Sequence, residues 1–241
     1  MRCIAMHKVD AKMEAGAPPD QELVKRMGRL VGESLKRGIF LDGAGLHRSA
    51  RRVRLRCKGG VCEVERGPYE GKDELVASMA LIRTASIDAA VEEARRFGAA
   101  LGDAEIEVGP VVEPWDLTGR PRPADVKDEQ FLLLFKGDAD YERGKELAPE
   151  RAAAVARLDD ELASKGVLVK RHRIAPSRAG KRLAGPKGSR TWTDGPFAES
   201  KELIAGFSIL EVPSLADAIA WADRYAEILV DNEVDLRRMA D

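Results

Sequence analysis

The feature that most constrains this chain is that it matches itself. Gly67-Pro68-Tyr69 laid on Gly195-Pro196-Phe197 sets an offset of 128 residues, and that offset holds without a gap in both directions. Upstream, CIAMHKVD (3–10) meets FLLLFKGD (131–138), Arg29-Leu30 meets Arg157-Leu158, and Gly38-Ile39-Phe40-Leu41 meets Gly166-Val167-Leu168-Val169. Downstream, ELVA (74–77) meets ELIA (202–205), DAAVEEARRF (88–97) meets ADAIAWADRY (216–225), and EIEV (105–108) meets EVDL (233–236). A constant offset over this span reads as a tandem duplication: a module at 1–108, a linker at 109–128 and a second module at 129–241. The linker holds Pro110, Pro114, Pro121 and Pro123, which restrict the backbone and remove ladder donors, so extended chain is expected there.

Each module reads alike. A short strand (2–8; 131–136) precedes an amphipathic helix (20–37; 149–165), with Leu23, Val24, Met27, Leu30, Val31 and Leu35 at helical spacing in the first copy. Asp20 suits the N-cap, and Gly38 and Gly166 suit the stops. A brief strand follows (39–41; 167–169), then a hairpin (52–57 with 61–65 in the first copy), the Gly-Pro turn, an apolar strand (75–82; 203–210), a second helix and a closing strand. Two helices on one face of an antiparallel sheet give an α+β fold of ferredoxin-like type. The bare face of such a sheet needs cover, which two copies in one chain supply to each other as an intrachain pseudo-dimer, leaving further homo-oligomerisation open.

Composition excludes several classes. The formal net charge is −1, so nothing global draws the chain to nucleic acid or an anionic membrane. No apolar run nears the roughly 18–20 residues of a membrane span, and the N-terminus lacks a signal-peptide layout, so a cytoplasmic protein is expected. Cys57 and Cys62 flank a Gly-Gly turn and face each other across it. A disulfide there is conceivable, but a reducing compartment favours free structural thiols. No second Cys/His pair stands at zinc-finger spacing, so neither a metal nor a cofactor is expected.

The second module resembles the DGPF family of the YCII-related superfamily. The residues that carry the likeness are FLLLFKGD, the helix end ELASKGVLV, the block TDGPFAESKELIAGFSIL, the helix SLADAIAWADRY and the final EVDL. Through the repeat the likeness extends to 1–108. The resemblance implies a dimeric α/β-barrel arrangement of ferredoxin-like modules with a small-molecule cleft. It also implies association with bacterial regulatory systems built on extracytoplasmic-function sigma factors. The copies have diverged: the second keeps Asp194, Glu199, Lys201 and Glu202, where the first has Arg66, Gly71, Asp73 and Glu74. Conversely the first keeps a glycine-bearing LDGAGLHRS (41–49), where the second has the basic VKRHRIAPS (169–177).

The candidate ligand-binding residues are therefore Asp194, Gly195, Pro196, Phe197, Glu199, Lys201 and Glu202 at the turn, with His47 from the glycine-bearing stretch. Asp-Gly-Pro also suits a turn with no ligand at all, since Asp bonds nearby amides and Pro sets the exit. Three functions remain open: a small-molecule-binding or accessory module, an enzyme, and a structural protein. The enzyme would act on a small polar molecule, with Asp194 or Glu199 as base and Lys201 or His47 orienting it. The structural protein would use its basic segments (Arg48 to Lys58; Lys170 to Arg190) to meet a sigma factor or another acidic partner. Those segments otherwise read as solvated, charge-protected strand edges. With 5% aromatic residues and none among the basic runs, the sequence argues against nucleic acid.

Overall fold

The computed structural model describes every residue except 19, 72–74, 187, 198–202, 230–232 and 241. The chain runs β1 (Arg2–Lys8), α1 (Ala11–Glu14), α2 (Gln21–Lys36), β2 (Phe40–Gly45), β3 (Val53–Lys58), β4 (Val61–Arg66), β5 (Val76–Thr84), α3 (Ile87–Leu101) and β6 (Ala104–Pro110). After α4 (Pro114–Thr118) come β7 (Glu129–Lys136), α5 (Ala139–Glu142), α6 (Pro149–Ser164), β8 (Leu168–Arg173), β9 (Lys181–Ala184), β10 (Thr191–Asp194), β11 (Ile204–Glu211), α7 (Leu215–Leu229) and β12 (Val234–Arg238). Short 3-10 turns at Ser49–Arg51 and Ser177–Ala179 precede β3 and β9.

Local chemistry accounts for the helix ends. Asp20 accepts the amide hydrogen of Glu22, and Ser86 accepts that of Ala89. Gly38 and Gly166 then stop α2 and α6 at φ +67° and +70°, a conformation that costs a side chain but not glycine. The linker departs from the extended chain expected of it. Pro114 sits at the first position of α4, where a missing N–H costs nothing, and the Asp116 carboxylate accepts the Glu113 amide.

Two six-stranded antiparallel sheets form an α+β fold, in the orders β10-β9-β12-β1-β11-β2 and β4-β3-β6-β7-β5-β8. Each sheet draws on both halves of the chain. β1 and β2 from the first half sit beside β11 and β12 from the second, and β7 and β8 sit beside β5 and β6. The halves of the sequence therefore do not correspond to the two sheets.

Side-chain alternation makes four layers. Leu30 of α2, with Trp221 and Tyr225 of α7, packs on Cys3, Ala5, Leu210 and Leu236 of the first sheet. Phe97 of α3, with Leu158 and Leu162 of α6, packs on Leu55, Ile82, Ile106 and Leu133 of the second. Between the sheets, Ile4, Met6, Phe207 and Ile209 meet Val76, Met79, Leu132 and Leu134. Single bridges, Leu46 to Val111 and Ile174 to Met239, stitch one sheet to the other. The edge strands β2 and β8 each skip one residue in register, at Leu41 and at Val169, which are themselves 128 apart.

Candidate functional site

A cleft of about 310 Å³ opens where the edge strands β2 and β8 approach each other. Ala44, Leu81, Val111, Val112 and Phe207 form its apolar wall, and Asp42, Lys170, Glu113 and Gln130 its polar one. β2 reaches this position because Gly43 carries no side chain: a Cβ there would stand 2.7 Å from the Phe207 carbonyl oxygen and 2.7 Å from Phe40 Cζ. Asp42 and Ala44 pair in register with Ile209 and Phe207, so they share the inter-sheet face.

Across the cleft Lys170 Nζ lies 2.9 Å from Asp42 Oδ2, with His172 Nε2 at 3.8 Å from the same oxygen. Burial alone would raise the Asp42 carboxyl, but the contacts from His172 and Lys170 outweigh it and hold it at about 2. On the linker side, Gln130 Nε2 donates to Glu113 Oε1 at 3.2 Å. His47 Nε2 stands 3.1 Å from Asp116 Oδ2, the oxygen that also takes the Glu113 amide. Burial and the Arg51 guanidinium lower the His47 pKa against the pull of Asp116, which favours the neutral ring.

The two Gly-Pro turns are built alike and do not line this cleft. Gly67 and Gly195 donate to the carbonyls of Arg52 and Gly180 at 3.0 Å in both cases. A Cβ on either glycine would fall 1.8–1.9 Å from the carbonyl oxygen of Ser49 or Ser177, so no other residue fits. Tyr69 and Phe197 donate their amides to the hydroxyls of those serines, which in turn donate to Glu14 and Glu142. The rings then lie over guanidinium groups, Tyr69 at 4.1 Å from Arg54 and Phe197 at 4.4 Å from Arg182. Phe197 thus roofs Arg182, whose side chain keeps 12% of its surface exposed. Asp194 points outward with 78% of its side chain exposed, paired with Lys181. Glu199, Lys201 and Glu202 lie outside the described residues. His47 stands apart from the turn, beside the linker.

Beside the first of these turns two arginines correct the reading of a solvated basic edge, while Arg56 keeps to it with 49% of its side chain exposed. Arg52 and Arg54 are 1% and 2% exposed. Glu107, fully buried, takes Arg52 Nη1 at 2.9 Å, with Arg54 at 3.7 Å and Lys136 at 4.0 Å. Burial, reinforced by Arg54, Lys8 and Arg52, drives the Lys136 pKa well below its usual value. At the offset positions Asp235 takes Lys8 at 3.3 Å and Arg182 at 2.6 and 3.0 Å. Of the basic residues on β3 only Arg54 is buried, because Glu107 of β6 and the Tyr69 ring reach it from outside that strand.

Two smaller features complete the picture. His7 Nδ1 lies 2.7 Å from the Tyr225 hydroxyl beneath α7, and burial lowers its pKa to about 4. Cys57 and Cys62 face each other as expected but are joined as a disulfide, in place of the expected free thiols, while Cys3 is free and buried. Among the described residues no three His, Cys, Asp or Glu side chains cluster to hold a metal, and no helix is long and apolar enough to cross a membrane.

Comparison with known proteins finds a YCII-related domain at residues 130–230. No curated protein and no solved structure matches the chain.

Proposed function

We propose that this chain is a small-molecule-binding protein made of two YCII-related modules of the DGPF type in tandem. The modules, of ferredoxin-like type, form an intrachain pseudo-dimer around one cleft. The observation that carries the reading is the cleft between β2 and β8. Its 310 Å³ volume, its apolar wall and its few convergent polar groups are those of a ligand site. It lies where strands from the two halves meet, so a single binding site serves both. The tandem reading is supported by contacts that recur at the 128-residue offset: the serine-held turns, the edge-strand irregularities and the buried clusters on Glu107 and Asp235. The family likeness supports a setting in the bacterial cytoplasm, as an accessory to a sigma-factor-linked regulatory system.

The test is a thermal-shift screen against small metabolites, repeated on Asp42→Asn, Ala44→Leu and Asp194→Asn. A ligand at about 100 times its Kd adds roughly 2.7 kcal/mol, a rise of about 5–11 °C for a chain of this size. The shift should disappear in Asp42→Asn and in the cleft-filling Ala44→Leu, and survive in Asp194→Asn. A shift untouched by either cleft substitution would overturn the assignment. The His47–Asp116 contact favours a second reading, an enzyme working at the linker side of the cleft. Consumption of a bound hit that stops in His47→Ala would select it.

A further inference from the structure

Two arginines that are not equivalent in sequence make the same pair of backbone contacts. Arg52, just ahead of β3, donates from Nε to the His47 carbonyl at 2.5 Å and from Nη1 to the Ile204 carbonyl at 2.8 Å. Arg237 of β12 donates from Nε to the Ala175 carbonyl at 3.0 Å and from Nη1 to the Val76 carbonyl at 2.9 Å. His47 and Ala175 are 128 apart, and so are Val76 and Ile204. The arginines are not: position 180 answers to 52 and position 109 to 237, and both are glycine. The chain therefore carries Arg52 with Gly109 in one half and Gly180 with Arg237 in the other.

The geometry explains how the exchange works. The pairing of Val53 with Val108 brings residue 52 opposite residue 109, and the pairing of Lys181 with Leu236 brings 180 opposite 237. A Cβ on Gly109 would meet Arg52 Cδ at 3.5 Å, and one on Gly180 would meet Arg237 Cγ at 3.0 Å. A Cβ on Gly180 would crowd Arg237, one on Gly109 would lie in contact with Arg52, and a guanidinium thus arrives at one place from either strand.

Both contacts cross between the sheets. From the second sheet, Arg52 grips the second residue after β2 and a carbonyl of β11, the strand on which β2 pairs. From the first sheet, Arg237 grips the second residue after β8 and a carbonyl of β5, the strand on which β8 pairs. The amides of the gripped segments are bonded alike as well: Leu46 to Ala205 and His47 to Pro110, Ile174 to Ala77 and Ala175 to Arg238.

We propose that Arg52 and Arg237 are positioning residues for the two strands that wall the cleft. What the fold requires is a guanidinium at that place, and either strand of the pair can supply it. The inference rests on the cleft reading only for its bearing on ligand binding; the clamp itself is tested apart from it.

The decisive comparison is Arg52→Gly, Gly109→Arg and the double exchange Arg52→Gly/Gly109→Arg, read by amide hydrogen exchange at Leu46 and His47 and by thermal unfolding. Arg52→Gly should speed exchange at these amides by about tenfold or more, since charge-assisted bonds to two carbonyls are lost. Gly109→Arg alone should destabilise through crowding. The double exchange should return both readouts to within about threefold of wild type. A double variant no better than the worse single one overturns the proposal. If Arg52→Gly does not fold, Arg52→Lys keeps a positive charge beside Glu107 but cannot reach both carbonyls. It should still expose Leu46 and His47, and wild-type exchange in Arg52→Lys would likewise refute the clamp. A restored double variant that binds no metabolite in the thermal-shift screen upholds the clamp and counts against the cleft reading alone.

Discussion

Two ion pairs of equal length separate burial from proximity. Arg52 and Glu107 approach to 2.9 Å with both side chains fully buried, and Arg56 and Glu65 approach to 2.9 Å with 49% and 44% of their side chains exposed. Removing one partner of a buried pair leaves uncompensated charge in a medium that solvates it poorly, at a cost of about 3–5 kcal/mol. The exposed pair is screened by water and salt and contributes about 0–1 kcal/mol. Glu107→Gln keeps the volume and one acceptor oxygen but leaves Arg52, Arg54 and Lys136 facing one another without their shared carboxylate. At about 2–4 °C per kcal/mol, Glu107→Gln should lower the unfolding midpoint by roughly 6–20 °C, and Glu65→Gln by about 0–4 °C. Asp235→Asn, which strips Lys8 and Arg182 of the equivalent carboxylate, should behave like Glu107→Gln. Calorimetry on the three variants at neutral pH decides the matter. Equal shifts in Glu107→Gln and Glu65→Gln would refute the reasoning, because proximity alone would then account for both.

Three further outcomes follow from the structure. The His7 pKa of about 4 lies below the ordinary 6.5 of an unfolded chain, so the unfolded state takes up its proton first. The associated stability is complete above about pH 6.5 and is lost as pH falls toward 4, by about 3 kcal/mol in all. Urea titrations from pH 7 to 4 should show that slope in wild type and a flatter one in His7→Gln; identical slopes would falsify the assignment. Gly195→Ala would press its Cβ against the Ser177 carbonyl and should cost about 1–3 kcal/mol. Gly32→Ala on α2, with nothing within 4 Å of the new Cβ, should instead stabilise by about 0.5–1 kcal/mol in the same chemical-denaturation assay.

The sequence by itself determined the elements that rest on local chemistry. Helix periodicity with Asp20, Gly38 and Gly166 located α2 and α6, and the Gly-Gly turn located the β3–β4 hairpin, because caps, stops and two-residue turns act within a few residues. The close packing at Gly195 was not legible, since the carbonyl it touches belongs to Ser177, and the roof that Phe197 makes over Arg182 spans the β9–β10 turn. Strand pairing was decided only by the tertiary structure. β1 and β7 carry similar apolar patterns, so local sequence does not say which of them should lie beside β11 and which beside β5. The choice falls to contacts made once all four layers assemble. The same assembly buried Arg54 while leaving Arg56 on the same strand exposed, because the carboxylate of Glu107 and the ring of Tyr69 reach Arg54 from other strands and turns. It also set the cleft between β2 and β8, where Asp42 meets Lys170 over a separation of more than half the chain, beyond the reach of any local pattern.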